Sequence, residues 1–175
     1  MHQSSLDLCE LFVSKHLSKD KKTRIADVGS CDINGSYRNL FSADAWEYVG
    51  FDVLPGKNVD VAVGDPWCVP VEHHKSFDVV ISGQTLEHTR KPWRWIQDVA
   101  SLAKPGGIIW IAAPNTFHYH EYPIDCWRIW PDGMRAIFDE AGLAEIECYK
   151  VGIDTVGIAR APERAASKPE RSMER

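Results

Sequence analysis

At 175 residues the chain has room for one domain and one hydrophobic core. Apolar residues make up 44% and charged residues 26%, an ordinary globular balance that excludes a fibrous or low-complexity chain. The formal net charge of -5 argues against broad contact with nucleic acid or an anionic membrane, both of which favour a basic face.

Leu6, Leu8, Leu11, Phe12 and Leu17 predict an amphipathic helix within residues 1–20, after Ser4 and Ser5, which can cap it. The basic run Lys15, Lys19, Lys21, Lys22 and Arg24 reads as a solvated helix end and loop. Arg24 to Val28 is a first short strand, closing on Gly29. Ser36 to Phe41 reads as a short helix, Tyr48 to Asp52 as a second strand and Val59 to Val63 as a weak third. Phe77 to Ser82 is β-branched and apolar, as a buried parallel strand should be. Pro92 opens a helix where its missing N–H costs nothing, with Trp93, Ile96, Val99, Ala100 and Ala103 on the buried face. Lys104-Pro105-Gly106-Gly107 stops that helix and turns into a fifth strand, Ile108 to Ala112. Pro131 starts the last helix, apolar at Met134, Ile137, Phe138 and Ala141 and ended by Gly142. Ala144 to Val151 and Ile153 to Ala159 are close enough to form a hairpin. Residues 162–175 show no apolar periodicity and read as a disordered tail, leaving 1–161 as a single domain.

Cys9, Cys31, Cys68, Cys126 and Cys148 are scattered and form no C-x-x-C pair, so they read as thiols in a reducing compartment. No secretory signal pattern is visible, and no stretch approaches the ~18 apolar residues that span a bilayer. The expectation is a cytoplasmic protein without membrane association.

Strand–helix alternation followed by a hairpin predicts an α/β, doubly wound, mostly parallel sheet with an antiparallel strand at its end. In such sheets ligands bind outside the carboxyl ends of the strands, at the switch point beside the first strand. The turn there reads Asp27-Val28-Gly29-Ser30-Cys31-Asp32-Ile33-Asn34-Gly35-Ser36. A small residue after a strand lets backbone approach a ligand, and free N–H groups beyond it can hold an anion. A dinucleotide fingerprint needs G-x-G-x-x-G, but Cys31 and Asn34 occupy the second and third glycine places. Asp27 and Asp32 would also repel a pyrophosphate. A ligand carrying a sulfonium and an ammonium would welcome them, and S-adenosylmethionine has that charge pattern. By itself the segment also fits a plain strand-to-helix turn. Asp52, at the end of the second strand, can accept hydrogen bonds from both ribose hydroxyls or form an Asx turn. Asp65 can take an adenine amino group with Trp67 against the ring, or simply make an Asp-Pro turn.

Asp27-x-Gly29, Asp52, Gly64-Asp65, Phe77-Asp78-Val79-Val80, Leu86-Glu87-His88 and Leu102 to Gly107 fall in one order at compatible spacings. Together they resemble the class I S-adenosylmethionine-dependent methyltransferases, in their small "type 11" branch, over roughly residues 23–160. The resemblance implies a Rossmann-like, seven-stranded sheet with the hairpin beside the fifth strand. It places Asp27, Gly29 and Ser30 at the methionine end, Asp52 at the ribose and Asp65 and Pro66 at the adenine. Gly83 and Gln84 would border the sulfonium. The family's loop usually has glycines where Cys31 and Ile33 stand, which leaves the path of residues 31–35 open.

Residues 114–130 are too aromatic and too rich in ionisable groups for a minimal connection. They read as an acceptor wall made by Tyr119, Tyr122, Asp125, Trp127 and Arg128, or as a structural cover in which Trp127 and Trp130 simply pack. Methyl transfer to a hydroxyl must align the acceptor, exclude water and remove a proton. His88, His118 and His120 are the candidate bases. Gln84-x-x-Glu87-His88 also resembles the Glu-x-x-Glu-His of small-RNA 3′-end methyltransferases, which would imply a divalent metal, with His118 or His120 able to complete its site. Gln84 replaces the first carboxylate and the chain is acidic, so no metal is expected. The reading is methyl transfer to a small-molecule acceptor, at a hydroxyl of a sugar or planar metabolite. The alternative is a non-catalytic S-adenosylmethionine-binding module or partner subunit.

Overall fold

The computed structural model describes residues 3–64 and 67–163. Seven strands form one sheet: β1 (Thr23–Val28), β2 (Trp46–Asp52), β3 (Val61–Ala62), β4 (Phe77–Gly83), β5 (Ala103–Pro114), β6 (Ala144–Val151) and β7 (Asp154–Arg160). Their order is β3-β2-β1-β4-β5-β7-β6. The pairs β1–β2, β2–β3, β1–β4 and β4–β5 are parallel, whereas β7 runs antiparallel to both β5 and β6. The expected Rossmann-like, mostly parallel sheet with a terminal antiparallel hairpin beside the fifth strand is therefore observed.

The period-two alternation of side chains divides the core between the two faces of the sheet. Ala26, Val28, Phe51, Val80 and Ile109 face helices α2 (Pro92–Leu102) and α3 (Pro131–Glu140), which contribute Trp95, Ile96, Val99, Leu102, Met134 and Phe138. Ile25, Val79, Ile81, Trp110 and Ile158 face the other way, onto Cys9, Phe12 and Val13 of helix α1 (Gln3–His16). Trp110 is fully buried there, with the Tyr37 ring edge-on at 5.6 Å.

Several local features differ from the sequence reading, among them Trp93, expected on the buried face of α2 and 48% exposed. Ser5 does not cap α1 but lies inside it, buried, with its hydroxyl 2.5 Å from Tyr37 Oη. Ser36 to Phe41 gives only a short 3-10 turn, Arg38–Phe41, because so few residues cannot recover the cost of nucleating an α-helix. The third strand shrinks to Val61–Ala62, since the Asp60 carboxylate turns back to accept the Gly50 N–H at 2.7 Å. Lys104 to Gly107 belong to β5 as a bulge: Phe77 pairs with Ala103 and Val79 already pairs with Ile108. Pro105 has no N–H to give the ladder, which suits that bulge.

From β1 the chain moves outward to β2 and β3, then returns to β4 on the other side of β1. The two directions part between β1 and β4, so their carboxyl ends open a crevice. Gly29 and Gly83 stand at its rim.

Candidate active site

Beyond β1, Gly29 adopts a φ of +83°, and a Cβ there would lie 2.0 Å from Thr85 Oγ1, so only glycine fits. The Gly29 and Ser30 N–H groups both donate to the Phe51 carbonyl, at 2.9 and 3.0 Å. Ser30 is buried, and its hydroxyl donates to the Asn58 carbonyl at 3.1 Å. The Asn58 amide returns a bond to the Ser30 carbonyl at 2.9 Å and another to Ser36 Oγ at 2.8 Å. The path of residues 31–35 follows from two carboxylates. Asp52 accepts the Cys31 N–H at 2.9 Å and the Val53 N–H at 2.7 Å. Asp32 accepts the Gly35 N–H at 2.9 Å and pairs with Lys57 at 2.7 Å. Side chains thus shape the turn where extra glycines would otherwise be used.

Asp27 lies on the α1 side of β1, 2% exposed. One of its oxygens accepts the Tyr48 hydroxyl, while Oδ1 has no hydrogen-bond partner among the described residues. Burial pushes its carboxyl up to about 7; the Tyr48 bond opposes that rise, the Asp52 charge adds to it and Arg38 counters it. A buried acceptor with an empty lone pair is costly unless a ligand completes it. An ammonium group would match that oxygen in both charge and hydrogen-bonding capacity. S-adenosylmethionine carries such a group, so the residues present suit it.

Gly83 ends β4 with Tyr37 Oη 1.9 Å from where its Cβ would be. Gln84 follows at a φ of +56°, and its amide turns toward α1 and β7, donating to Asp154 at 2.9 Å and Ser5 at 3.4 Å. Asp65 and Pro66 lie outside the described residues. Trp67 packs, half-buried, against the core on the α2 side.

After β4 a 3-10 turn, Leu86–His88, carries Glu87 and His88. Glu87 is fully buried, and neither carboxylate oxygen has a hydrogen-bond partner among the described residues. Burial pushes it up to about 8, opposed by its own backbone N–H and by Arg128 and reinforced by the Asp125 charge. The His88 Nδ1–H donates to the Ile124 carbonyl at 2.5 Å, which leaves Nε2, 3.6 Å from Glu87 Oε1, with its lone pair. Burial holds His88 below the usual imidazole range.

The segment of residues 115–130 is sewn onto this turn. The Cys126 and Trp127 N–H groups donate to the Glu87 carbonyl at 2.8 and 3.2 Å, and the Trp127 indole donates to the Thr89 carbonyl at 2.7 Å. His120 is brought against His88, ring centroids 5.0 Å apart, and His118 stands 6.2 Å from His120. All three candidate bases therefore meet at one place, although His118 and His120 are 30 or more residues from His88 in sequence. Asp125 and Arg128 are spent on each other, Nη1–Oδ1 2.6 Å and Nη2–Oδ2 2.7 Å. Arg128 also clamps the His118 carbonyl at 2.9 Å. That bidentate partner holds the Asp125 carboxyl well below the ordinary range. A cavity of about 330 Å³ is lined by Phe117, Tyr119, Asp125, Cys126, Trp127 and Arg128. Tyr122 does not line it and is 57% exposed. Sequence reasoning missed Tyr48, Asn58 and Thr85, and named Glu87 only within a metal motif that it set aside. An Asn beside Gly56-Lys57 and an acid directly before His88 were the signals available.

A crevice at the switch point, a first turn opened by Gly29 and a buried acid with one unpartnered oxygen among the described residues are features of a Rossmann-type nucleoside-cofactor site. Solved structures share this fold. A methyltransferase from Aquifex aeolicus, described as S-adenosylmethionine-dependent, superposes with a TM-score of 0.68 at 18% identity, covering 91% of this chain and 94% of that one. The 1,6-didemethyltoxoflavin-N1-methyltransferase of Burkholderia thailandensis, solved with S-adenosylhomocysteine, gives 0.72 at 11% identity, covering 91% and 79%. A ubiquinone biosynthesis O-methyltransferase of Parvibaculum lavamentivorans is 35% identical over 51 residues, which is 29% of this chain and 20% of that protein. The methyltransferase domain family matches residues 7–146, and the chain belongs to it. Its fold is the one shared by those S-adenosylmethionine methyltransferases. Among the described residues no helix is long and apolar enough to cross a membrane.

Proposed function

We propose that the chain methylates a hydroxyl of a small planar molecule held in the 330 Å³ cavity beside the histidine cluster. The observation that carries this reading is the convergence of His88, His118 and His120 at the carboxyl edge of the sheet, next to that cavity. The bound cofactor supplies an electrophilic methyl group on a sulfonium. Asp27 holds the cofactor's ammonium and Asp52 its ribose hydroxyls, with Gly29 and Ser30 at the methionine end and Gly83 and Gln84 bordering the sulfonium. His88 presents Nε2 as the proton acceptor because its Nδ1–H is committed to Ile124. Since Asp125 and Arg128 satisfy one another, the cavity offers Phe117, Tyr119 and Trp127 rather than free charge. That lining favours a flat hydroxylated ring over a sugar. The short match to an O-methyltransferase is in keeping with a hydroxyl acceptor.

The test is turnover with S-adenosylmethionine against pooled phenols, sugars, nucleosides and small acids, read by mass spectrometry. A phenolic O-methyl product is expected. Replacing His88, His118 and His120 together by alanine should abolish turnover while leaving affinity for S-adenosylhomocysteine within about twofold, because the cluster does not hold the cofactor. Full turnover by that variant, or methylation at nitrogen or carbon alone, refutes the reading.

A further inference from the structure

We propose that Glu87, His88 and His120 bind a divalent first-row transition-metal ion at the mouth of the acceptor cavity. Ligand atoms of these three side chains all lie within 4.8 Å of one another. The Glu87 carboxylate is fully buried, and neither oxygen has a hydrogen-bond partner among the described residues. A buried carboxylate without a donor is costly, and a cation is one of the few partners that satisfies both oxygens at once.

The imidazoles are arranged as metal ligands usually are. A ligating histidine turns its second ring nitrogen to a backbone carbonyl or a carboxylate, which fixes the ring and its tautomer. His88 Nδ1 donates to the Ile124 carbonyl at 2.5 Å. His120 Nδ1 lies 3.2 Å from the His118 carbonyl and 3.3 Å from Asp125 Oδ2. Both rings therefore keep Nε2 for a ligand, and His88 Nε2 already stands 3.6 Å from Glu87 Oε1. Tetrahedral bonds of about 2.0–2.1 Å place ligand atoms roughly 3.3 Å apart. The remaining closure is a side-chain adjustment of His120, which is half-buried on the loop.

Two imidazoles and one carboxylate suit Zn²⁺, Co²⁺ or a neighbouring ion better than Mg²⁺ or Ca²⁺, which take oxygen ligands. Three protein ligands leave a coordination position open, the pattern of catalytic rather than structural sites. Gln84 takes no part, its amide being held by Asp154. The expectation of no metal rested on that position and on the acidity of the chain, neither of which bears on this donor set. The ion site stands on its own geometry; its role beside a reacting hydroxyl rests on the function proposed above. There the ion would hold the acceptor oxygen and lower its pKa, His88 would serve as its ligand in place of the base role given it above, and His118 would take the proton.

The chain, stripped with a chelator, is titrated with Zn²⁺ by calorimetry and with Co²⁺ by visible absorption, with Mg²⁺ in parallel. One Zn²⁺ per chain is expected, with Co²⁺ bands of a nitrogen–oxygen site. His120→Ala should lower Zn²⁺ affinity more than about 100-fold, Glu87→Gln likewise, and Asp125→Asn about tenfold through His120. His120 is on a half-exposed loop, so its variant keeps the test meaningful should the Glu87 variant fail to fold. Cys126 is exposed and tied to Glu87 through the backbone, so Cys126→Ser is the thiol control. Zn²⁺ affinity unchanged in His120→Ala, loss of binding in Cys126→Ser, or a preference for Mg²⁺ overturns the proposal. S-adenosylhomocysteine affinity is measured alongside. A chain that binds S-adenosylhomocysteine but takes up no Zn²⁺ refutes the ion site alone. One that binds Zn²⁺ but methylates no hydroxyl refutes only the acceptor reading.

Discussion

Replacing Asp27 by Asn should change how stability depends on pH, and by a calculable amount. Burial, opposed by the Tyr48 bond, raises the carboxyl from 3.8 to about 7 in the folded chain. Between those values the folded state keeps a proton that the unfolded chain has released. Stability therefore falls as pH rises through this window, and the loss is complete above about 7. At about 1.4 kcal/mol per pKa unit the interval amounts to about 4 kcal/mol. An amide is neutral throughout and retains an oxygen for Tyr48. Urea unfolding of both proteins in half-unit steps gives the difference curve, in which the contributions of other groups cancel. The Asn variant should gain on the wild type by about 4 kcal/mol between acid and neutral pH, then run parallel to it. Cofactor binding must mirror this behaviour. A cationic ammonium at Oδ1 favours the carboxylate, so wild-type affinity for S-adenosylhomocysteine should rise by up to about tenfold per pH unit and level off above 7. Parallel stability curves across the whole window would show that Asp27 is not a buried carboxyl held near neutral pH. A pH-independent affinity would remove the ammonium from its vicinity.

Asp52→Ala should weaken S-adenosylhomocysteine binding roughly 10- to 100-fold by calorimetry, since the charged hydrogen bonds proposed to the ribose would be lost together with the Cys31 tether. Gly83→Ala should lower stability by about 1–3 kcal/mol in thermal unfolding, because its Cβ would meet Tyr37 Oη at 1.9 Å. Pairing it with Tyr37→Phe should recover part of the loss. Arg128→Ala leaves Asp125, whose side chain is 1% exposed, without its bidentate partner. A cost of about 3 kcal/mol is expected, with faster hydrogen exchange over residues 117–126.

How much of this was legible before the chain folded differs from element to element. Phe77 to Ser82 and Ile108 to Ile111 announce buried parallel strands because both faces must be apolar when helices cover each side of a sheet. Pro92 and Pro131 mark helix starts by purely local chemistry, and each opens a helix at the named residue. The short 3-10 turn at Arg38 and the bulge at Lys104 to Gly107 were not readable. Both are set by what packs or pairs across the sheet rather than by the local pattern.

The sequence by itself determined the alternation of strands and helices, and with it the edge of the sheet where chemistry belongs. Strand patterning and helix capping act over a few residues, which a linear reading can see. Tertiary structure alone decided that Asp27 keeps one oxygen unpartnered among the described residues, that Asp125 and Arg128 spend their charges on each other, and that Glu87 meets His88 and His120. Burial and pairing are properties of side chains brought together from distant positions, and their energies exist only once the sheet has closed over them.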